Sequence, residues 1–556
     1  MKLALVSLPA RESPEALPLG AACIAAAVKA AGLDEVECCL IDAGLGEAPD
    51  ALAARIAASG AGLVGFSVFS WNREVLSASA QRLRGSVGGM LLFAGGPEAG
   101  ADPQGLIAQA GLDFAIAGEG ETAVVLALKA ILTGGALGAI PGLALPGASP
   151  QDSRLAPPED PATLPSPWLQ KTIDPKDCGG DIVWELSRGC PFRCAYCYES
   201  KGSSGMRPFP MERIEAELDL FVKSGVSYAF VLDPTFDADP LRAAALLDLF
   251  RDRAPWIRWK FEVRAELLDK ALIRRFAALD CSLQIGLQSA RRETLDAVGR
   301  PGFDRALFAR KAAMLGAAGV SFGLDLIYGL PGDSLRVFEE SLDFALGLEP
   351  NHLDLFPLAL LPGTELVERA QELGLVADRL PPYLVSATRE LPAQDLLKAA
   401  ALSQACDRFY TSGRAVAWFL AATRPLKARP SSFLREYSSW LSARGGAGPG
   451  DPRSIQTEQL AFLGEAYRAA GLAALLPALE DLVRLHTAWG LALAEGEESL
   501  LDLSYEPEQV LGAAASGLAA FVRSASMLRE SWYVLPDEDE GARIERAHPA
   551  RDRKAK

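Results

Sequence analysis

The sequence predicts an α/β protein with a doubly wound N-terminal domain, a partial (β/α)6 barrel and a mainly α-helical C-terminal domain. Short apolar runs alternate with Ala-rich helical stretches up to about residue 390, and the strand signal fades afterwards. Continuous apolar strands between helices are typical of parallel sheets that are covered on both faces. A chain of 556 residues is long enough for about two to four domains.

The first domain is predicted to span residues 1–140 and to contain five strands. Their predicted bounds are Leu3–Leu8, Val36–Ile41, Leu63–Phe69, Met90–Ala94 and Phe114–Ala117. Helical stretches such as Leu19–Ala31 and Asn72–Leu83 lie between them. In a doubly wound sheet the ligand binds beyond the carboxyl ends of the strands. Many prolines in residues 141–180 then indicate a linker that lies over a surface.

The barrel is predicted to span residues 181–390 and to contain six strands. Their predicted bounds are Ile182–Leu186, Tyr228–Leu232, Trp259–Val263, Leu283–Leu287, Phe322–Tyr328 and Leu353–Leu358. Functional groups of β/α barrels cluster at the carboxyl ends of the strands. A loop with three cysteines directly follows the first of these strands.

The C-terminal domain is predicted to span residues 391–535 as a helical accessory domain. Helical periodicity marks Leu396–Tyr410, Gln459–Ala470 and Ala473–Ala494. Residues 536–556 are rich in charge and lack periodicity, so a disordered tail is expected there.

Composition excludes several classes of protein. The net charge of −16 argues against a general nucleic-acid binder, which needs clustered Lys and Arg. No run approaches the roughly 18 apolar residues of a membrane helix, and the apolar start before Pro9 is too short for a signal peptide. Nine irregularly spaced cysteines are typical of reduced thiols. We therefore expect a cytoplasmic protein with neither nucleic acid nor membrane as partner.

The strongest motif is the cysteine triplet Cys190, Cys194 and Cys197. Thiolates hold four-iron clusters, usually as a set of four, so three would leave one iron open for another ligand. A structural zinc site usually closes at four ligands, and neither a second cysteine pair nor a histidine stands nearby. The spacing therefore predicts that these three cysteines bind a 4Fe-4S cluster and are the catalytic metal ligands.

The run around these cysteines, with Tyr196 before the third, resembles the radical S-adenosylmethionine (radical SAM) superfamily. In that superfamily the open iron chelates the amino and carboxylate groups of S-adenosylmethionine. The resemblance therefore implies a second cofactor beside the cluster and places Tyr196 next to it.

Three loops follow strands of the first domain where a ligand is expected. Their candidate residues are Ser67, Trp71, Asn72 and Arg73; Gly95, Gly96, Pro97 and Glu98; and Gly118, Glu119 and Gly120. Glycine lets the backbone approach a ligand closely, although turn geometry alone also explains glycines in such folds. Together with the cysteine loop, and with Pro18-Leu19-Gly20 and Asp42, these loops resemble the Rossmann-like cobalamin-binding domain of cobalamin-dependent radical SAM enzymes.

The first domain contains no histidine. Many cobalamin domains supply a lower-face histidine, so the resemblance here implies base-off cobalamin with no histidine ligand. The lower face would be open or capped by Trp71, Asn72 or Arg73, and simple packing is the alternative role of Trp71.

Several barrel positions match the superfamily's contacts to S-adenosylmethionine. Glu262 and Arg264 lie two apart on one strand and therefore share a face; the resemblance gives them the ribose hydroxyls and the carboxylate, and a mutual salt bridge is the alternative. The other implied contacts are Asp233 and Thr235 near the methionine amine, Gln288 and Ser289 near the ribose, Asp325 and Tyr328 in the adenine motif, and Leu361 after the sixth strand.

The resemblance implies a methyltransferase that moves a methyl group from S-adenosylmethionine, via methylcobalamin, to a carbon of a small-molecule substrate. It also implies an external one-electron reductant that is flavodoxin- or ferredoxin-like. Cyclisation, ring rearrangement or oxidation without net methylation is the alternative within this class. A non-catalytic cobalamin sensor is a third hypothesis.

Overall fold

The structure is a computed structural model that describes residues 1–10, 16–86, 88–148, 155–199, 205–537 and 541–547. The N-terminal elements are β1 (Lys2–Ser7), α1 (Leu19–Ala30), β2 (Glu37–Asp42), α2 (Pro49–Ala58), β3 (Leu63–Ser67), α3 (Arg73–Ser86), β4 (Leu91–Gly95), α4 (Pro97–Ala101), α5 (Pro103–Ala110), β5 (Phe114–Ile116), α6 (Glu121–Thr133) and β6 (Leu143–Ala144).

The next elements belong to the predicted barrel. They are β7 (Asp181–Trp184), β8 (Ser187–Arg188), β9 (Arg207–Pro208), α7 (Met211–Ser224), β10 (Tyr228–Val231), α8 (Pro240–Arg253), β11 (Arg258–Val263), α9 (Lys270–Phe276), β12 (Cys281–Gln288), α10 (Arg292–Ala297), α11 (Arg305–Ala317), β13 (Ser321–Tyr328), α12 (Leu335–Leu346), β14 (His352–Pro357), α13 (Glu365–Glu368), α14 (Ala370–Leu373), β15 (Val376–Ala377) and β16 (Val385–Ala387).

The C-terminal elements are mainly helical. They are α15 (Ala393–Cys406), a π-helical turn (Asp407–Thr411), α16 (Phe419–Leu426), α17 (Pro430–Ser442), α18 (Pro452–Ala469), α19 (Leu476–Glu495), β17 (Ser499–Leu503), α20 (Pro507–Ser516), α21 (Leu518–Ser524), β18 (Glu530–Asp537) and β19 (Gly541–Arg546).

The first sheet has the strand order β2-β1-β3-β4-β5-β6. Strands β1 to β5 are parallel, and each face of the sheet carries its own apolar core. Strands β1, β3, β4 and β5 are mostly buried, and their sequences are apolar in continuous runs rather than alternating, whereas the edge strand β2 is only half-buried. The prediction of a doubly wound N-terminal domain is therefore confirmed.

The start of the predicted linker belongs to this sheet. Leu143 and Ala144 pair in antiparallel register with Ile116 and Ala115. The interpretation of residues 141–180 as a linker alone is therefore wrong at its first few residues. A two-residue strand is too short for its pattern to be seen among prolines.

The chain divides into two compact units, and the division passes through β12. The first unit contains residues 1–285, 295–320 and 358–389, and in it the barrel strands follow the order β12-β11-β10-β7 in parallel. The second unit contains residues 286–294, 321–357 and 390–556, and here β13 lies between β14 and the end of β12. All six predicted barrel strands are present at the expected positions.

The second unit also contains an antiparallel sheet, β17-β18-β19, beside its helices. The prediction of a disordered tail from residue 536 is wrong for β19, which pairs with β18 throughout residues 541–546. Ala542 is buried while Arg543 is exposed and pairs with Asp537, so outward-facing charges hid the strand pattern. Residues 548–556 lie outside the described residues. Among the described helices, none combines the length and the apolar sequence that crossing a membrane requires.

Candidate active site

The carboxyl ends of the first sheet open onto a cavity of about 670 Å³ that lies within the first unit. The wall on the sheet side includes Ser67, Gly95, Gly96, Gly118, Glu119, Gly120 and Glu121. The opposite wall comes from the segment around the cysteine loop and from the loop after β10, through Glu185, Ser187, Arg188, Gly189, Tyr198, Glu199, Leu232 and Pro234. One cavity thus joins the predicted cobalamin loops to residues that flank the cysteine triplet, although the three cysteines themselves are not part of its lining.

At two positions of the cavity wall, the backbone conformation and the close packing require glycine. Gly96 has φ +96°, and a Cβ there would lie 2.7 Å from the carbonyl oxygen of Val68. Gly118 has φ +105°, and its Cβ would lie 3.0 Å from the amide nitrogen of Ala156. Left-handed backbone of this kind strongly favours glycine.

Two other glycines have a different reason to be there. A Cβ on Gly20 or Gly95 would meet no atom within 4 Å, so turn geometry does not demand glycine at either position. Both line the cavity, beside the N-terminal end of α1 and the end of β4. A broad, bare wall and the free amides of helix N-termini fit a large flat cofactor with amide or phosphate oxygens. The residues present therefore fit cobalamin.

Asn72 and Arg73 do not line the cavity, and their side chains are used inside the protein. The Asn72 amide donates to the carbonyls of Leu8 and Ser67, both at 3.1 Å, and its oxygen accepts from the Phe69 amide at 2.8 Å. The Arg73 guanidinium pairs with Glu98 at 2.7 Å and with Asp102 at 2.9 Å. The polar atoms of Asn72, Arg73 and Glu98 are thus bonded within the protein, and their contacts with a cofactor stay a prediction.

Phe69 takes the place on the cavity wall that was expected of Trp71. Trp71 is half exposed, stacks on Phe69 with ring centroids 4.3 Å apart, and donates its indole N–H to the Leu8 carbonyl at 3.2 Å. Sequence reasoning missed Phe69 because an aromatic residue at a strand end is ordinary core composition.

The cysteine loop is fixed by backbone bonds at its centre. The Ala195 amide donates to the Val298 carbonyl at 2.9 Å, and the Ala195 carbonyl accepts from the Leu366 amide at 2.9 Å. The Cys190 thiol lies 3.7 Å from the hydroxyl of Thr235, one of the predicted contacts. Burial, with Cys190 and Cys194 nearby, raises the pKa of Cys197 to about 12. Three thiols on one short loop fit a four-iron cluster, which thiolates hold.

No three His, Cys, Asp or Glu side chains within the described ranges converge as ligands of one metal ion. A single ion such as zinc needs its thiolates about 2.3 Å from one point. Thiolates of a four-iron cluster bind different irons and stay farther apart.

Two arginines hold the aromatic residues of the cysteine loop. Arg300 donates to the Tyr196 hydroxyl at 3.4 Å, and the Arg264 guanidinium lies 3.9 Å from the ring centre of Phe192. Glu266 links the two cations, at 3.5 Å from Arg264 and 4.0 Å from Arg300. The predicted residue Arg264 therefore contacts the cluster loop, and its ion pair is with Glu266 rather than Glu262.

Burial, reinforced by Glu199, raises the pKa of Glu262 to about 7. Asp233, by contrast, is buried and internally bonded. Its carboxylate accepts from the amides of Leu186 and Ser187, at 2.8 and 3.0 Å, and from the Ser187 hydroxyl at 2.5 Å. Asp233 thus stabilises the segment that leads into the cysteine loop, and its contact with the methionine amine stays a prediction.

Four predicted positions lie in the second unit. Gln288 ends β12 with φ +63°. Its buried side-chain oxygen has no hydrogen-bond partner among the described residues, so it can accept a hydrogen bond from a ligand. Ser289 is already bonded to Ser341 at 3.4 Å and to the Arg291 amide at 3.2 Å. Asp325 and Tyr328 lie on β13. In the first unit, the Leu361 carbonyl accepts from Thr364 in the loop after β14.

Two family models match the chain. The model of the radical SAM superfamily matches residues 184–345, and the model of the B12 binding domain matches residues 13–128. Both matches lie inside the predicted barrel and first domain, whose boundaries stay a prediction.

Curated relatives are similar over part of their length. A 2-(S-pantetheinyl)-carbapenam-3-carboxylate methyltransferase from Streptantibioticus cattleyicolor is 26% identical over 55% of this chain and 48% of its own length. The cobalamin-dependent radical SAM methyltransferase TokK from Streptomyces tokunonensis is 26% identical over 35% of this chain and 30% of its own. The chain thus matches about half of these relatives' length or less.

Two solved structures share the fold. The radical S-adenosylmethionine methyltransferase TsrM from Kitasatospora setae, with tryptophan substrate and aza-SAM bound, has a TM-score of 0.57 at 18% identity over 68% of this chain and 79% of its own. The cobalamin-dependent S-adenosylmethionine radical enzyme OxsB has a TM-score of 0.57 at 14% identity over 94% of this chain and 84% of its own. A B12 binding domain thus precedes a radical SAM domain in this chain, which confirms the predicted resemblance to cobalamin-dependent radical S-adenosylmethionine enzymes.

Proposed function

We propose that this protein is a cobalamin-dependent radical SAM methyltransferase that methylates a carbon of a small-molecule substrate. The observation that carries the proposal is the single cavity shared by the glycine loops of the first sheet and the residues next to Cys190. When bound, S-adenosylmethionine on the cluster would supply a radical and a methyl group, and cobalamin would carry that methyl group to the substrate. Relatives named as methyltransferases support this reading.

The chain's own residues would bind and separate these groups. The thiols of Cys190, Cys194 and Cys197 would hold the cluster at one side of the cavity. The walls at Gly20 and Gly95, which carry no side chain, would admit the face of cobalamin. The cofactor would be base-off with no histidine ligand, since the first domain contains no histidine. Positioning of reactive groups in a closed space is the protein's main contribution to such chemistry.

The proposal includes a cytoplasmic location and an external one-electron reductant of the flavodoxin or ferredoxin kind. Free cysteines that are buried or half-buried are typical of a reducing compartment. The contacts of Thr235, Glu262 and Arg264 with S-adenosylmethionine are part of the same proposal.

Anaerobic reconstitution with iron, sulfide and hydroxocobalamin tests the proposed function. With S-adenosylmethionine carrying a CD3 group and a reductant, we expect formation of 5′-deoxyadenosine and of labelled methylcobalamin. Candidate metabolites that gain a CD3 group by mass spectrometry would identify the substrate.

The matched variants are Cys190→Ala, Cys194→Ala and Cys197→Ala, with Cys406→Ala as a buried cysteine outside the triplet. The first three should lose the cluster and both products, whereas the fourth should keep them. A product that forms without added mass would favour ring rearrangement or oxidation, and absence of both cofactor products would favour a sensor.

A further inference from the structure

We propose that Arg188 couples the two cofactor sites, so that a bound cluster tightens the binding of cobalamin and bound cobalamin tightens the binding of the cluster. This inference rests on the proposed function, because it presupposes both cofactors. Arg188 is a positioning residue here, and no contact between it and a cofactor is required.

Arg188 forms ion pairs with three glutamates from two parts of the chain. Its guanidinium lies 2.6 Å from Glu121, 3.4 Å from Glu119 and 3.1 Å from Glu185. The Nε atom is 3.1 Å from both oxygens of Glu185. The cation therefore has a fixed orientation rather than a single loose contact.

The partners of Arg188 belong to the predicted cobalamin loop. Glu119 lies between Gly118 and Gly120 on the cavity wall, and Glu121 is the first residue of α6. Arg207, which pairs with Arg188 across β8 and β9, is a second cation on Glu119. The Glu159 amide donates to the same carboxylate at 2.9 Å. Rotation of Glu119 would therefore break several bonds at once.

The other side of Arg188 is the cysteine loop. Only Gly189, with φ +78°, separates it from Cys190. The preceding residue, Ser187, is held by the carboxylate of Asp233. A ligand that fixes Cys190 therefore restricts Arg188 through two backbone links.

Burial makes these ion pairs costly to break one at a time. The side chains of Arg188 and Glu121 are 12% and 8% exposed, and that of Glu119 is 22% exposed. Removing one partner of a buried pair leaves an uncompensated charge, which is strongly unfavourable. The two loops should therefore order together, and a site that is already ordered costs its second ligand less conformational entropy. Such coupling is reciprocal for binding free energies.

The test compares the dissociation constant of hydroxocobalamin for cluster-loaded protein and for iron-chelated protein, by anaerobic absorbance titration. In the wild type we expect the cluster to lower this Kd by about 5-fold or more, as is typical of coupled sites. In Arg188→Gln the ratio of the two Kd values should fall to within about twofold of one. Arg188→Lys keeps the charge without the three-way geometry and should give an intermediate ratio.

Arg213→Gln is the matched control. Arg213 is 13% exposed, pairs with buried Glu217 at 2.9 Å and stacks over Phe209, the ring that Arg188 also approaches, yet it lies outside the cavity wall. This variant should keep the wild-type ratio. Glu121→Gln, a near-isosteric change, removes one contact of Arg188 and should reduce the ratio if Arg188→Gln does not fold.

Equal Kd values with and without the cluster in the wild type would overturn the coupling alone. A full wild-type ratio in Arg188→Gln or Glu121→Gln would overturn the role of Arg188. Wild-type protein that forms no cluster or binds no cobalamin would overturn the proposed function itself, so the two failures are distinguishable.

Discussion

At the scale of single residues, Arg73 shows how a charged side chain beside a cofactor loop can be structural. It lies at the start of α3, and Glu98, Asp102 and Tyr383 surround its guanidinium. The Tyr383 hydroxyl also donates to Glu98 at 2.6 Å, so one carboxylate oxygen serves both. This group holds the segment after β4 against the start of α3, and none of its side chains is part of the cavity lining.

Tyr383→Phe tests this structural role. The variant loses two hydrogen bonds to charged groups, and we expect the free energy of unfolding to fall by about 1–3 kcal/mol. The Kd for cobalamin should change by no more than about twofold, since none of these side chains lines the cavity. Urea denaturation and cobalamin titration measure the two effects. A large rise in Kd with unchanged stability would contradict the structural role.

The cysteine triplet could be found from sequence because its spacing is local. The roles of Arg188 and Arg300 could not, since each depends on partners that the fold brings together from far along the chain. Arg188 lies 67 residues from Glu121, and Arg300 lies 104 residues from Tyr196. The bonds of Asp233 were missed for the same reason, because its partners Leu186 and Ser187 lie 47 and 46 residues away along the chain.

At the scale of elements, the π-helical turn Asp407–Thr411 anchors the C-terminal helices of the second unit. The Thr411 hydroxyl accepts from the Leu353 amide and donates to the Leu353 carbonyl, both at 3.1 Å. Leu353 is buried on β14, the edge strand of its sheet. The threonine hydroxyl thus hydrogen-bonds backbone groups of an edge strand that would otherwise lack these partners. Gln459 supports the turn by donating to the carbonyls of Phe409 and Gly413.

Thr411→Val should expose the importance of this contact. Valine keeps the shape but leaves the backbone groups of Leu353 without these bonds, so we expect a loss of about 1–3 kcal/mol in unfolding free energy. Hydrogen exchange at the Leu353 amide should accelerate. Ser412→Ala is the control, since Ser412 is exposed and bonds only to Asp407 of its own turn. Equal effects of both substitutions would contradict this account.

Strands with continuous apolar sequence were predicted within one or two residues of their observed bounds, as for β1 and β13. Those strands are buried on both faces, so composition alone marks them. The strands β6 and β19 were missed because one is two residues long and the other carries charges on its outer face. Pairing partners, rather than local sequence, create such strands.

At the scale of the whole molecule, several buried carboxyl groups share one electrostatic property. Burial raises the pKa of Glu185, Asp237, Glu262 and Asp333 to about 7. The folded protein therefore holds protons that the unfolded chain has already lost above about pH 4. Stability should fall as pH rises from about 4 to 7, because the folded state binds more protons in this window. Arginines lower the pKa of Glu119 and Glu458 despite their burial, which acts in the opposite sense.

Asp237→Asn provides the test of this pH dependence. One Asp237 oxygen accepts from the Arg264 amide at 3.0 Å, and the other is buried without a partner. From pH 5 to pH 8, the wild type should lose more unfolding free energy than Asp237→Asn, by more than about 1 kcal/mol, because the variant has no carboxyl group to ionise at this position. Urea denaturation of the apoprotein at the two pH values measures it. A difference that is the same at both pH values would contradict the raised pKa.

The pairing of β6 with β5 has a consequence for protein engineering. A chimera that exchanged residues 1–140 for the same segment of a relative would separate Leu143 and Ala144 from the native β5, with which they pair. It would also combine foreign loops with the resident Arg188 and Arg207, whose partners Glu119 and Glu121 lie in the exchanged segment. Recombination at the proline-rich segment should therefore yield folded chimeras only when both members of these pairs come from the same parent.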